Sequence, residues 1–513
     1  MRYWKHLLLI LALALLLRLA PVALHGMPQS HDAPFHIRMA GIVADSGQVP
    51  RIDASLGSRP NNYPPLYHVL VAELSLLTGI SVQGVVMLLL PVLSSLVVLS
   101  VFVFVRRAAG EKNALIAALL AAVATPLIVG AYDSPENAVF FFLPLVLLLM
   151  HMGKERAGTL LYASSFLWNY FALVVTAVPF LLAYGQNKKV LKTLAIAFAL
   201  MIGFSLLTKG TEFLTNESLA AGTQFIASNL RNVMPVLALL GALFFAPLAW
   251  LALRQGEKTK KSQWFIFLLA WCVISVLGLL SFFATPLFRG WEHLKFLALG
   301  GIMLIGAAGI GTRQNGGAGT KTAGAGTATT KTAAERTARY GRLFVFFLAV
   351  FMVLASFIFS FQILFPSVNK VDAHAMEFLE ARAGHGERTI IAEPSMAEYM
   401  RLGTSLDPLL LTSLYFENTR KETVLGETLD FLAGAQTPAQ ERGFLQKSRA
   451  GFIITNFKDD VERGSAQRFA GADYLDKIYS LAYGERCPFP LPQGIAYDCG
   501  RMETNIYEIN GAR

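Results

Sequence analysis

Charge is what this chain has least of: 15% of its 513 residues are Asp, Glu, Lys or Arg, against 54% that are hydrophobic. With a mean hydropathy of +0.50, that scarcity excludes an ordinary soluble domain and marks an integral membrane protein. No aromatic-interleaved basic motif accompanies the net charge of +10, so nucleic acid is excluded as a partner. No internal repeat is visible. No small-residue cleavage pattern follows the first apolar run, although Arg2 and Lys5 precede it as they would in a signal peptide. That run is therefore read as a retained helix, with Arg18 in its outer half snorkelling toward the headgroups, the alternative being that it pairs with a functional group.

What the chain does have is apolar length. A helix needs about 20 mostly apolar residues to span a bilayer, and 11 segments qualify: 4–25, 82–105, 113–130, 137–152, 158–169, 170–185, 190–207, 233–253, 263–285, 292–310 and 343–365. The pair at 158–185 is short, but "HMGKER" before it and "GQNKK" after it read as loops on one side, which two passes satisfy. Basic residues cluster at Arg2/Lys5, Arg106/Arg107/Lys112, Lys154/Arg156, Lys188/Lys189/Lys192, Arg254/Lys258/Lys260/Lys261 and from Arg313 to Arg342. They alternate with base-poor loops, so the positive-inside rule puts them in the cytoplasm of a multi-pass plasma-membrane protein. The excess charge then also attracts membrane lipids.

Three regions follow. Residues 1–366 form a polytopic helical bundle, within which the Gly/Ala/Thr-rich stretch 311–342 is a flexible cytoplasmic linker. An odd number of spans starting inside leaves residues 367–513 outside. There "RTIIAE", "AGFIITNF" and "TNIYEIN" read as short strands and "ETLDFLAGA" as helix, which predicts a small external α/β domain. Of three cysteines, Cys272 lies in a span, while Cys487 and Cys499 lie outside. There a disulfide closing their small loop would contribute about 3 kcal/mol; two free thiols are the alternative.

Sorting ionisable residues by membrane face gives the candidate site. Asp32 and His36 fall in the first external loop, Asp133 and Glu136 in the second, Glu212 and Glu217 in the third, and Arg289, Glu292, His293 and Lys295 in the fourth. Asp32, Asp133 and a third-loop glutamate are hard oxygen ligands suited to Mg²⁺ or Mn²⁺, and such an ion would neutralise a phosphate leaving group. Arg289, with His293 or Lys295, would hold the same phosphate by charge-assisted hydrogen bonds. Plainer readings stand beside these. Asp32 next to His31 is also a solvated loop, and "DSPE" is also a turn opening a helix. Glu217 sits in the sequon "NES", and Arg289 and Lys295 also serve as interfacial anchors. His36 and His293 read as structural, and Arg38 as a brace for the first loop.

"HDAPFHIRMA" resembles the first-loop motif of the catalytic subunit of oligosaccharyltransferase, "AYDSPENAVFF" its second-loop acidic pair, and "LTNESLAAG" its third-loop element ending in Glu. The Tyr-Pro-Pro stretch at 61–81 and the external C-terminal domain are similar to the wider GT-C glycosyltransferase superfamily. The resemblance implies a catalytic, acceptor-activating and metal-binding role for Asp32. It implies metal roles for Asp133, Glu136 and Glu217, and lipid-donor or acceptor contact for Arg289. Two departures stand out. The second acidic pair is spaced i, i+3, where the family has i, i+2. The family's Trp-Trp-Asp-Tyr-Gly motif is absent, and "IIAEPSMAEYM" (390–400) stands at its place.

The expectation is a membrane glycosyltransferase with about 11 transmembrane helices. It would move a sugar from a polyprenyl or dolichyl (pyro)phosphate to a protein or glycan acceptor by one inverting displacement. A metal-independent transferase using a monophosphate-linked sugar is the alternative within enzymes. A transporter or flippase is the alternative outside them, disfavoured because the midplane stretches are nearly free of charge.

Overall fold

The computed structural model describes residues 2–25, 33–50, 52–53, 59–60, 63–124, 127–128, 135–209, 262–281, 290–307, 370–383, 389–392, 407–408, 431, 436–456, 469, 472–483 and 502–510. The expected spans 233–253 and 343–365 and the linker 311–342 lie outside these residues, as do Cys487 and Cys499.

Every expected span that falls on described residues contains a helix, although the one expected at 113–130 ends at Val123 and the one expected at 158–169 ends at Ser164. Helix α1 covers Arg2–His25, and α2 (Ala33–Ser46) and α3 (Leu66–Thr78) follow, separated by a two-stranded ribbon of β1 (Ile52–Asp53) and β2 (Arg59–Pro60). Then come α4 (Val82–Ala109), α5 (Glu111–Val123), α6 (Glu136–His151), α7 (Glu155–Ser164), α8 (Tyr170–Tyr184) and α9 (Lys188–Lys209). Helices α10 (Gln263–Ser281) and α11 (Gly290–Ala307) complete the described bundle. By length and composition, α1 and α4 are long and apolar enough to cross a membrane.

The hub is α4, which packs against α1, α5, α6 and α11. Its start is fixed by Ser81, whose hydroxyl accepts from the Gly84 N–H at 3.2 Å, and its end by Gly110 at φ 87°. At that corner Arg106 pairs with Glu111 at 2.8 Å on the surface. Close packing of α11 depends on Gly306, where an added Cβ would stand 2.7 Å from Ala117 and 3.0 Å from Val105.

The short pair α7 and α8 folds back on itself through a 3-10 turn at Ser165–Leu167. Tyr162 stacks on Phe180 at 4.1 Å and its hydroxyl meets Thr176 at 3.2 Å. At the far end the Asn187 amide donates to Glu155 at 2.7 Å, so the two basic loops share one face. The Arg18 reading needs correction. Its side chain is fully buried, and it donates to Ser94 and to backbone carbonyls inside the bundle, so it does not snorkel. A guanidinium with acceptors within reach at its own depth has no need of the headgroups.

The C-terminal region holds α12 (Lys370–Ala383), α13 (Pro438–Ser448) and a five-stranded sheet. Its strands are β3 (Thr389–Ala392), β4 (Asp407–Pro408), β5 (Ala450–Asn456), β6 (Leu475–Tyr483) and β7 (Met502–Ile509), in the order β4-β3-β5-β7-β6. β3 runs parallel to β4 and β5, while β7 runs antiparallel to β5 and β6. Successive side chains alternate faces. Ile390, Phe452, Ile454 and Ile506 pack on α12, and Ile391, Ile453, Tyr507 and Ile509 join the α13 residues Phe444 and Leu445. The segment "ETLDFLAGA" lies outside the described residues except for Phe431, which packs with that second cluster.

Candidate functional site

The segment after α1 is two helices clamped together. α2 begins at the residue after Asp32 and buries Phe35, His36, Ile37 and Met39. It stops at Gly47, whose φ of 68° is a left-handed value that favours glycine. Helix α3 carries Tyr67 and His68 on its buried face. His36 Nδ1 and His68 Nε2 are hydrogen-bonded at 2.9 Å. The rings of Phe35, Tyr63 and Tyr67 stand 5.3, 4.8 and 5.3 Å from that of His36. Burial lowers the His36 pKa from 6.5 to about 3 and pushes the Tyr67 phenol up. The imidazole is therefore a neutral packing and hydrogen-bonding group here. Arg38 lies over the Phe35 ring at 5.7 Å, a cation–π contact on the same helix.

Glu136 is the first residue of α6, directly after Pro135. His293 and Lys295 lie in the opening turns of α11, where Lys295 is almost fully buried. One turn beyond Glu136, Phe140 meets Phe296 edge-on at 4.9 Å. The starts of α6 and α11 therefore lie together at one end of the bundle, presenting two positive helix poles to it. Trp168, in the turn between α7 and α8, joins this end to the first loop. Its ring stands 5.8 Å from Phe142 on α6 and 6.5 Å from Tyr67 on α3. Sequence reasoning missed His68 and Trp168, which carry no motif; the Tyr-Pro-Pro stretch ahead of His68 was the one pointer.

Asp32, Asp133, Glu217 and Arg289 lie outside the described residues, and Glu136 and His293 are placed by backbone only. Among the described residues no group of three or more His, Cys, Asp or Glu could hold a metal ion. His36 Nδ1 is engaged by His68, so that nitrogen does not offer itself as a softer ligand. The expected donors Asp32, Asp133, Glu136 and Glu217 are all carboxylates, a chemistry suited to Mg²⁺ or Mn²⁺.

Residues 54–304 match the family model of Oligosaccharyl transferase STT3, N-terminal. No curated protein matches the sequence. Among solved structures, archaeal oligosaccharyltransferase AglB from Archaeoglobus fulgidus, in complex with an inhibitory peptide and a dolichol-phosphate, superposes with a TM-score of 0.58. The identity is 12%, over 90% of this chain and 70% of that one. A further structure of the Archaeoglobus fulgidus enzyme is a complex with Zn and sulfate. ArnT from Cupriavidus metallidurans, bound to undecaprenyl phosphate, superposes with a TM-score of 0.52 and 11% identity, over 98% of each chain. The chain thus resembles the catalytic subunit of oligosaccharyltransferase over residues 54–304 and has the helical membrane fold of the GT-C glycosyltransferases.

Proposed function

We propose that this protein is a glycosyltransferase that moves a sugar or oligosaccharide from a polyprenyl or dolichyl (pyro)phosphate to a protein or glycan acceptor on the outer face of the plasma membrane. The observation that carries the reading is the family match over residues 54–304. That stretch includes Asp133, Glu136, Glu217, Arg289, His293 and Lys295, the later members of the candidate site. The likeness of fold to AglB and ArnT supports it, since those proteins are described with dolichol-phosphate and undecaprenyl phosphate.

In this mechanism Asp32 orients or deprotonates the acceptor for a single inverting displacement at the sugar carbon. Asp32, Asp133 and Glu217, with Glu136 as the further acid, would hold Mg²⁺ or Mn²⁺. A bound divalent cation supplies charge neutralisation for the departing phosphate. Arg289, with His293 and Lys295, holds that phosphate by charge-assisted hydrogen bonds, and the external domain shapes the acceptor groove. Catalysis of this kind works through positioning and preorganised electrostatics.

A second reading has a specific observation behind it. The fold likeness to ArnT runs over 98% of both chains, and this chain lacks the Trp-Trp-Asp-Tyr-Gly element. Both features suit a monophosphate-linked monosaccharide donor and a site that dispenses with the metal. Transfer from a radiolabelled polyprenyl-linked sugar, assayed in membranes with and without chelator, separates the two. Loss of transfer with chelator and with Asp133→Ala and Glu217→Ala supports the metal site. Full activity of both variants, independent of metal, supports the second reading, and full activity of Asp32→Ala sinks both.

A further inference from the structure

Arg18 is wholly buried in the bundle, where a charge is costly enough to mark function by default. Its guanidinium faces the end of α5. Nη1 donates to the Ala122 carbonyl at 2.9 Å and to that of Ala14 at 3.2 Å, Nη2 to that of Ala121 at 3.2 Å, and Nε to Ser94 Oγ at 2.9 Å. Helix α5 stops at Val123, and Ala124 turns extended at ψ 111°. The carbonyls of Ala121 and Ala122 therefore belong to the last turn, which has no intrahelical N–H to offer them. A cation at this negative helix pole is favoured.

The clamp continues past the break. Ser94 Oγ donates to the Leu127 carbonyl at 3.1 Å, and the N–H groups of Leu127 and Ile128 return to the Ala124 carbonyl at 2.9 and 3.0 Å. One guanidinium and one hydroxyl thus hold carbonyls on both sides of the point where α5 ends. The 13 residues of α5 rise only about 20 Å, short of the roughly 30 Å hydrocarbon core. Non-helical backbone at membrane depth has to be satisfied by protein, and Arg18 is the group that does so here. A lysine, a single point of charge, cannot reproduce this fork.

In sequence Asp133 lies six residues after Leu127, and Asp32 follows the helix that carries Arg18. We propose that Arg18 is a positioning residue: by closing the open end of α5 it fixes the backbone from which the chain continues toward Asp133. The proposal rests on the carboxylate site described under the proposed function.

The test uses the purified full chain with Arg18→Met, Arg18→Lys and, as a milder variant that keeps the charge, Ser94→Ala. Hydrogen exchange is followed in peptides covering residues 119–135. It is expected to quicken by about tenfold or more in Arg18→Met and by less in Ser94→Ala, while the α10–α11 hairpin is unchanged. No change across 119–135, or an equal rise throughout the bundle, overturns the clamp. Mn²⁺ alone is then titrated, and half-saturation is expected to rise about tenfold in Arg18→Met, with Arg18→Lys failing to rescue it. If wild type binds and the variants bind equally well, the positioning role is overturned although the metal site stands. If wild type binds no Mn²⁺, the metal reading falls, and the exchange data alone decide on Arg18.

Discussion

His36 Nδ1 and His68 Nε2 stand 2.9 Å apart, and this bond ties α2, which begins one residue after Asp32, to α3. One ring donates and the other accepts, so at least one of the two imidazoles is neutral. Burial takes the His36 pKa from 6.5 to about 3. The unfolded chain therefore binds a proton as pH falls through 6.5, and the folded chain does not until about 3. The contribution to stability is complete above 6.5 and is lost as pH falls toward 3, at up to ~1.4 kcal/mol per pH unit. Thermal unfolding of the purified protein at a series of pH values below neutrality should show this slope, reduced by about one proton in His36→Gln. An unchanged slope in that variant would remove His36 from the pH dependence.

Two glycines of the same chain should respond in opposite directions. At Gly306 a methyl would stand 2.7 Å from Ala117 Cβ and 3.0 Å from Val105 Cγ1, where α11 approaches α5 and α4. Gly306→Ala should destabilise by about 1–3 kcal/mol through overpacking, in an interface that small residues keep close. Gly443, inside α13, has nothing within 4 Å of an added Cβ. Gly443→Ala should stabilise that helix by roughly 0.5–1 kcal/mol. Detergent-resistance and unfolding midpoints of the two variants check both signs.

The bundle was legible because apolar length and basic-loop alternation are strong, local signals. Even the doubtful pair α7 and α8 was separable, since "HMGKER" and "GQNKK" demanded one face and the Asn187–Glu155 bond puts them there. The strands β3, β5 and β7 were legible from β-branched runs. β6 was not, because "LDKIYSLAY" mixes charge with a partly exposed apolar face. Arg18 was misread because its long-range acceptors are the Ser94 hydroxyl and backbone carbonyls of α5, 76 to 104 residues away, and backbone groups leave no trace in a sequence. The His36–His68 pair was invisible for a related reason: His36 stands in the first-loop motif and His68 in the Tyr-Pro-Pro stretch, and only the packing of α2 on α3 makes them partners.

A buried carboxylate anchors the C-terminal sheet to α12. Asp372, fully buried in the first turn of that helix, accepts a hydrogen bond from the Thr504 hydroxyl on β7 at 2.6 Å. Burial, and secondarily the Asp372 charge, push the Tyr479 phenol up. Thr504→Val keeps the shape but removes one donor from a buried carboxylate, which should cost about 1.5–3 kcal/mol. Limited proteolysis should then cut residues 370–509 of the variant faster than those of wild type, with the bundle peptides unaffected. Equal rates would mean that Asp372 is held by its other surroundings.

Lys295 separates a binding role from a packing one near the start of α11. Its side chain is 1% exposed, and its neighbour Phe296 is fixed edge-on against Phe140. An ammonium so buried is held by its surroundings and cannot serve as a surface anchor. Under the proposed function it meets the phosphate of the lipid-linked donor, where negative charge grows as the sugar departs. Lys295→Gln should then lower kcat/KM for transfer by about 10²–10³-fold, with kcat falling more than KM rises, because a charge developing in the transition state feels the loss most. Lys295→Arg keeps the cation and should recover part of the rate, whereas a packing role would make the bulkier Arg the worse of the two. Steady-state kinetics of both variants, measured alongside their unfolding midpoints, distinguish the roles: equal kcat/KM in Lys295→Gln and wild type would place Lys295 outside the site.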